Sequence, residues 1–306
     1  MKIILSGGTG FIGRPLLVQL LRADHHVTLL SRNPDRLGLQ TRPSIDTVPW
    51  DACNSGPWSS RVDGADAVIN LAGEPIAQKR WTREQKERIV SSRIDSTRAL
   101  VEAIRRAQKK PAVLINASAV GYYGHVESGE VTESRPKGNG FLADTCAQWE
   151  KEALAAEALG VRVVCLRTGI VLEKGGGALA KMLPPFRFFM GGPLGSGCQG
   201  LPWVHRDDEI GAILFTLKTQ NLRGPVNITA PNPVTMREFC ESLGKAMRRP
   251  SWAPVPAFVL RLLLGDMAEE MLLGGQRAVP QKLLDAGYRF RYPDLDRALA
   301  AILSQP

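Results

Sequence analysis

Long hydrophobic runs, aromatic residues and cysteines are all scarce in this sequence. Aromatic side chains make up only 6% of its 306 residues. A membrane span needs roughly 18 consecutive apolar residues. The best stretch, Phe258 to Leu264, is broken by Arg261 and stopped by Gly265, so no spanning helix is expected. The opening MKIILSGGTG carries one Lys and a short apolar run that passes straight into glycines. With no small-residue cleavage site, it does not read as a secretory leader, and a cytoplasmic location is expected. The five cysteines (Cys53, Cys146, Cys165, Cys198, Cys240) are odd in number and never spaced CxxC. That argues against both a disulfide framework and a zinc site. Four histidines without an HExxH spacing give no reason to expect a metal.

Acidic residues are also outnumbered, 30 against 39 Lys and Arg, for a net charge of +9. Two readings stand: a solvated basic surface, or a cleft whose field gathers an anionic ligand. The basic residues are dispersed, with no aromatic-interleaved patch and no nucleic-acid module. Neither nucleic acid nor a membrane is expected as a partner.

What is present is alternation. Short apolar runs at 2–6, 26–30, 67–71, 112–116, 161–166 and 226–229 read as strands, and the segments between several of them have helical spacing. Near-continuous apolar strands between amphipathic helices predict an α/β fold, a Rossmann-type doubly wound parallel sheet covered on both faces. Its ligand crevice lies at the carboxyl ends of the strands. After Leu172 the sequence turns Gly- and Pro-rich, and from Pro254 it reads as mostly helical. The expected organisation is a nucleotide-binding domain over 1–172, with 204–217 returning to it. A smaller, mostly helical substrate lobe is expected over 173–203 and 218–306.

The segment GGTGFIG sets Gly7, Gly10 and Gly13, with Phe11 and Ile12 between the last two, directly between a predicted strand and a predicted helix. A tight turn and close backbone approach to a pyrophosphate need glycine there, and the helix N-terminus offers its free N–H groups to the anion. The end of the second strand chooses between cofactors. A carboxylate there would accept from the ribose hydroxyls of NAD. This sequence instead has Ser31 and Arg32, a hydroxyl and a planar guanidinium that suit a 2′-phosphate. NADP(H) is the expected cofactor; the bland alternative is a surface arginine opening a turn before Pro34.

GGTGFIG, NLAG (70–73), ASAVGYYG (117–124), LRTGIVL (166–172) and WVHRDD (203–208) resemble the extended short-chain dehydrogenases/reductases, the NAD-dependent epimerase/dehydratase-like group. The longer strings NLAGEPIAQKRWT, MLPPFRF, GGPLGSG and VPQKLLDAGYRFRYPDLDRAL resemble the YfcH-like epimerase family, with its C-terminal domain, over essentially the whole chain. The resemblance implies that Leu71, Ala72 and Gly73 border the adenine and ribose and that Asp51 accepts from the adenine amino group. It also implies that Arg88 and Arg93, on one helix, approach the phosphates, and that Val171 lines the nicotinamide side. Two exposed helix arginines are the plainer reading of that pair.

The sequence departs from this group where the group does its chemistry. A YxxxK pair on a helix, Tyr as general acid/base and Lys lowering its pKa, is the usual relay. Anchored on Glu150, those positions hold Leu142 and Cys146, and the Ser/Thr partner falls on Ala119. The candidates for a displaced relay are Ser118, Tyr122, Tyr123 and His205. The plainer reading of His205 is a packing histidine beside Asp207 and Asp208, and that of Cys146 an inert buried thiol. Two functions follow as expectations. One is an NADP(H)-dependent oxidoreductase or epimerase-like enzyme for a small, anionic or nucleotide-sugar substrate. The other is a catalytically silent NADP(H) sensor.

Overall fold

Seven strands form the central sheet: β1 (Lys2–Ser6), β2 (His26–Ser31), β3 (Ile45–Pro49), β4 (Ala67–Asn70), β5 (Val113–Ala119), β6 (Arg162–Thr168) and β7 (Gly224–Ile228). They are arranged in the computed structural model, which describes residues 1–34 and 44–304, in the order β7-β6-β5-β4-β1-β2-β3. The pairs from β3 through β5 are parallel, with Lys2 opposite His26 and Ser6 opposite both Leu30 and Asn70. The chain runs outward from β1 in one direction and restarts at β4 in the other, so the topological switch lies between these two strands. This is the doubly wound fold that the apolar strands predict. β3 escaped the sequence reading for a physical reason. It is an edge strand, IDTVP, only partly buried, and it lacks the continuous apolar run of its neighbours.

Seven helices matter below: α1 (Gly13–Arg22), α2 (Arg83–Arg106), α3 (Phe141–Leu154), α4 (Gly177–Arg187), α5 (Arg206–Lys218), α6 (Met236–Met247) and α7 (Ala257–Leu264). Their starts differ instructively. The Thr82 side chain accepts from the Gln85 N–H at the head of α2, and Thr235 and Glu238 form a reciprocal capping box at the head of α6. No side chain caps α1, and its first turn holds no acid.

The chain divides into two compact units. The first is Met1–Ser118 with Ala147–Leu166 and Ile213–Pro225; the second is Ala119–Cys146, Arg167–Ala212 and Val226–Pro306. Residues 119–146 group with the second unit, and Ile213–Pro225 returns to the first, overlapping the expected return at 213–217. The first unit packs Ile4, Leu30, Val68, Leu100, Leu114 and Val163 into a core between sheet and helices. The second has its own core, in which Phe186, Trp203, Phe239, Leu243 and Leu299 are buried.

Candidate functional site

The glycine turn is built on close approaches. Gly7 has φ +69, and a Cβ there would lie 2.5 Å from the Leu71 carbonyl, so the turn passes directly beneath the loop after β4. A Cβ on Gly13 would lie 2.1 Å from the Gly7 oxygen, which ties the head of α1 to the turn. Gly10 is different. Its Cβ would meet only the Gly7 oxygen, at 3.2 Å, and the residue is exposed. Gly7 and Gly13 are thus required by the protein's own backbone, whereas a Cβ on Gly10 would face open space beyond that one atom. Phe11 and Ile12 are half-buried, and the turn is closed by Gly10 N–H to Gly7 O at 2.9 Å. An uncapped helix head beside such a turn suits a phosphate.

Around it, Ser31 ends β2 and accepts from the Asn33 N–H at 3.3 Å, while Arg32 beyond it is exposed. Asp51 spends much of its carboxylate locally. It accepts from the Cys53 and Asn54 N–H groups and from Asn54 Nδ2, and these hydrogen bonds bring its pKa down to about 2. It is therefore an anion in a tight turn, with Oδ2 the less committed oxygen. Leu71, Ala72 and Gly73 follow β4, and the Ala72 N–H donates to Asn70 Oδ1 at 3.2 Å.

The two helix arginines separate. Arg88 is exposed on α2, whereas Arg93 turns inward beside Gly73 and donates to the carbonyls of Glu74 and Ile89 at 3.1 and 2.9 Å. Its guanidinium also lies over the Trp149 ring, 5.1 Å from the centroid. Arg93 therefore braces the loop after β4.

A polar network that the sequence reading missed lies under this loop. Ser6 Oγ donates to Asn70 Oδ1 at 2.6 Å, and Asn70 Nδ2 donates to Asn116 Oδ1 and Thr97 Oγ1 at 2.7 and 2.9 Å. Trp149 Nε1 also donates to Thr97, at 2.8 Å. Ser6, Asn70, Thr97 and Asn116 are all fully buried. The visible signal was a polar residue closing each of two apolar strands.

The four relay candidates have unlike settings. Ser118, at the end of β5, is buried and donates to Glu150 Oε1 at 2.7 Å, so Glu150 joins the candidates as its partner. Tyr123 is buried too. Its hydroxyl donates to Asn227 Oδ1 at 2.7 Å and accepts from Arg167 Nη1 at 3.0 Å, and burial pushes its pKa up to about 12. That setting fits a structural hydroxyl better than a proton relay. Tyr122 is half-exposed, with the Arg167 guanidinium 3.5 Å from its ring centroid, and its hydroxyl makes no hydrogen bond among the described residues. His205 is 1% exposed and stacked on Tyr292 at 3.9 Å, and its Nδ1 accepts from the Asp207 N–H. Burial lowers its pKa, and the nearby carboxylates oppose that only in part. The packing reading of His205 is the better one.

On α3, the side chains at the two vacant positions pack against the turn after β5. A Cβ on Gly121 would lie 3.2 Å from Leu142 Cβ and 4.0 Å from Cys146 Sγ. The helix head is closed by Glu270, which accepts from the N–H groups of Phe141 and Leu142 at 2.7 and 2.8 Å. Val171 lies in the strand Ile170–Leu172, paired with Trp203–His205, and is nearly buried.

An open glycine turn at a switch point of parallel strands, with a hydroxyl and a guanidinium closing the next strand, defines the class: a dinucleotide-binding doubly wound fold. The model of the NAD dependent epimerase/dehydratase family matches residues 3–229, and the chain belongs to that family. Residues 255–302 match a domain of unknown function, DUF1731. An epimerase family protein SDR39U1 homolog, chloroplastic, from Arabidopsis thaliana is 44% identical over 99% of this chain and 87% of its own length. Epimerase family protein YfhF of Bacillus subtilis is 40% identical over 99% and 98%. The crystal structure of human epimerase family protein SDR39U1 with NADPH superposes with a TM-score of 0.87 at 35% identity, covering 100% of both chains.

Proposed function

We propose that this chain is an NADP(H)-dependent oxidoreductase or epimerase-like enzyme for a small anionic or nucleotide-sugar substrate, with its proton relay displaced from α3. The observation that carries the reading is the open head of α1, where Gly10 alone of the four turn glycines is not required by the chain's own packing. The human relative solved with NADPH supports the choice of cofactor. In this reading the N–H groups over Phe11–Gly13 hold the pyrophosphate, beside the half-buried side chains of Phe11 and Ile12, and Gly10 leaves room for it. Ser31 and Arg32 hold the 2′-phosphate, Asp51 and Leu71–Gly73 border the adenine and ribose, and Val171 borders the nicotinamide. Arg88 supplies a nearby exposed cation, while Arg93 keeps the loop after β4 in place. When bound, the nicotinamide supplies or accepts a hydride. Among the four relay candidates, Tyr122 alone combines a half-exposed ring with a hydroxyl uncommitted to the chain, so it is the residue assigned to exchange a proton with substrate. Ser118 with Glu150 is the second choice.

Charge-assisted hydrogen bonds to the 2′-phosphate contribute about 1.5–3 kcal/mol. NADPH is therefore expected to bind at least about tenfold more tightly than NADH in calorimetric titration, and Arg32→Ala to remove most of that preference. Equal affinities in the unaltered protein would overturn the assignment. A specific observation favours the second reading, a silent NADP(H) sensor. Leu142 and Cys146 pack where the relay of the larger group stands, and Tyr123 and His205 are committed to the interior. A panel of carbonyl compounds followed by NADPH absorbance, and of nucleotide sugars followed by the stereochemistry of the product because epimerisation returns the cofactor unchanged, separates the two.

A further inference from the structure

The second unit exposes more large apolar side chains than a solvated surface needs. Phe188 is 77% exposed and Phe189 52%, just after α4. Trp252 is 63% exposed, and on α7 Phe258, Leu262 and Leu263 are 69%, 76% and 61% exposed. These residues come from two stretches that run side by side. Gly191 bridges Ser251, Leu194 bridges Val255, and Trp252 Nε1 donates to the Phe189 carbonyl at 2.9 Å. α7 begins two residues beyond Val255. At 100° per residue, Phe258 and Leu262 share one face of α7, and the buried Leu260 holds the opposite face to the protein. Isolated exposed apolar residues are ordinary, but a concentration of this kind marks an interaction surface.

The charge around the patch says which kind. Residues 174–205 hold three basic residues (Lys174, Lys181, Arg187) and no Asp or Glu. Residues 245–264 hold four (Lys245, Arg248, Arg249, Arg261) and no acid. Arg261 is paired with Glu269, and Lys245 is only loosely paired with Asp296, at 3.9 Å. Arg249 lies over the Phe189 ring, 4.4 Å from its centroid, and Arg187 and Arg248 are exposed at the margins. Aromatic and leucine side chains with Arg187, Arg248 and Arg249 beside them, on a chain of net charge +9, match the chemistry of an anionic bilayer surface. The apolar groups enter the headgroup boundary while the cations meet lipid phosphates.

The geometry points to this face as a peripheral docking site for anionic lipid membranes. The protein lies on the membrane and does not cross it. No helix among the described residues is long and apolar enough to span one. The sequence expectation of no membrane partner rested on that missing span, and lying on a surface does not need one.

The tryptophans supply a site-specific readout. Trp50, Trp58, Trp81, Trp149 and Trp203 are all at most 9% exposed, so Trp252 is the one readily reached by acrylamide. The experiment mixes the full-length protein with vesicles of equal parts phosphatidylglycerol and phosphatidylcholine, or of phosphatidylcholine alone, at low and high salt. Co-sedimentation is expected with the anionic vesicles at low salt, weakened by salt, together with protection of Trp252 from acrylamide. The double variant Phe258→Ser/Leu262→Ser is expected to bind on the order of tenfold or more weakly. Arg248→Gln is expected to bind about fivefold more weakly. Both should keep NADPH affinity. Should the double variant fail to fold, Leu262→Gln, at a site 76% exposed, serves in its place. Three results would overturn the proposal. One is no binding to anionic vesicles, and another is binding undiminished by the α7 variants. The third is concentration-dependent self-association without lipid that those variants abolish, which assigns the face to a second copy of the chain.

Discussion

Tyr122 and Tyr123 are neighbours whose hydroxyls have different surroundings. Tyr123 is locked between Asn227 and Arg167 inside the second unit, so removing its oxygen strands two buried polar partners. Leaving a buried partner unsatisfied costs about 1–3 kcal/mol. Tyr123→Phe is accordingly expected to lower stability by at least that amount in chemical denaturation. Tyr122→Phe should leave the denaturation midpoint unchanged and, once a substrate is found, lower turnover about a hundredfold. Equal losses of stability in the two variants would contradict the distinction. The residue scale also holds a pH response. Glu209 is wholly buried, accepts from Thr168 Oγ1 at 3.0 Å, and burial raises its pKa from 4.5 to about 8. The unfolded chain releases that proton near the ordinary value while the folded chain keeps it. Stability should therefore fall as pH rises between those two values, by up to about 1.4 kcal/mol per pH unit, and level off above. Glu209→Gln should flatten that slope in denaturation curves taken between pH 5 and 8.

Among elements, the glycine turn makes a sharp comparison. Gly13→Val would drive a side chain into the Gly7 carbonyl, 2.1 Å from where its Cβ must sit, so the head of α1 cannot form as it is. Gly10→Val meets only one atom, at 3.2 Å, and fills the space beyond. The expected result is a folded Gly10→Val protein that gives no heat with NADPH, and a Gly13→Val protein with a much reduced melting temperature. Unimpaired binding by Gly10→Val would move the cofactor elsewhere. This turn was legible in the sequence because its glycines fall between an apolar run and a helical pattern, and the strands β1, β2, β4, β5 and β6 were legible as apolar runs. β3 was not, since a partly buried edge strand lacks the pattern. Nor were the partners of Ser118 and Tyr123, because Glu150 lies 32 residues from Ser118 and Asn227 lies 104 from Tyr123. Such pairings are made by the fold, and no local pattern encodes them. For His205 the sequence offered both a relay and a packing histidine, and the burial that bears on that choice is not displayed by a hexapeptide.

At the scale of the whole molecule, the residues assigned to NADP(H) come overwhelmingly from the first compact unit. A ligand held there protects what it touches. In hydrogen exchange, NADPH is expected to slow the amides of 7–13, 31–32 and 71–73, while the core of the second unit around Phe239 and Leu243 changes little. A ligand at one hundred times its Kd adds about 2.7 kcal/mol to folding, so the melting temperature should rise with NADPH and rise less in Arg32→Ala. Protection confined to the second unit would refute the assignment. The alternation of apolar strands and amphipathic helices foretold the fold class at this scale, but not the apolar face around α7. A short run such as AFVLRLLL reads the same whether it is covered or bare, and only its single buried residue, Leu260, tells which side the protein takes.

The hydrogen-bonded quartet of Ser6, Asn70, Thr97 and Asn116 has a consequence for how the chain finds its own alignment. KIILS, AVIN and VLIN are nearly interchangeable lengths of aliphatic chain, and grease alone distinguishes poorly between one pairing of them and the next. Sliding β4 by one residue against its neighbours would leave two buried amides and a hydroxyl facing hydrocarbon, at about 1–3 kcal/mol for each orphaned group. The quartet thus works as a set of teeth that mesh in a single position. In meshing, it brings the ends of the two strands on either side of the switch point level with each other, Ser6 beside Asn70, so that the loop carrying Leu71 to Gly73 always emerges over the glycine turn.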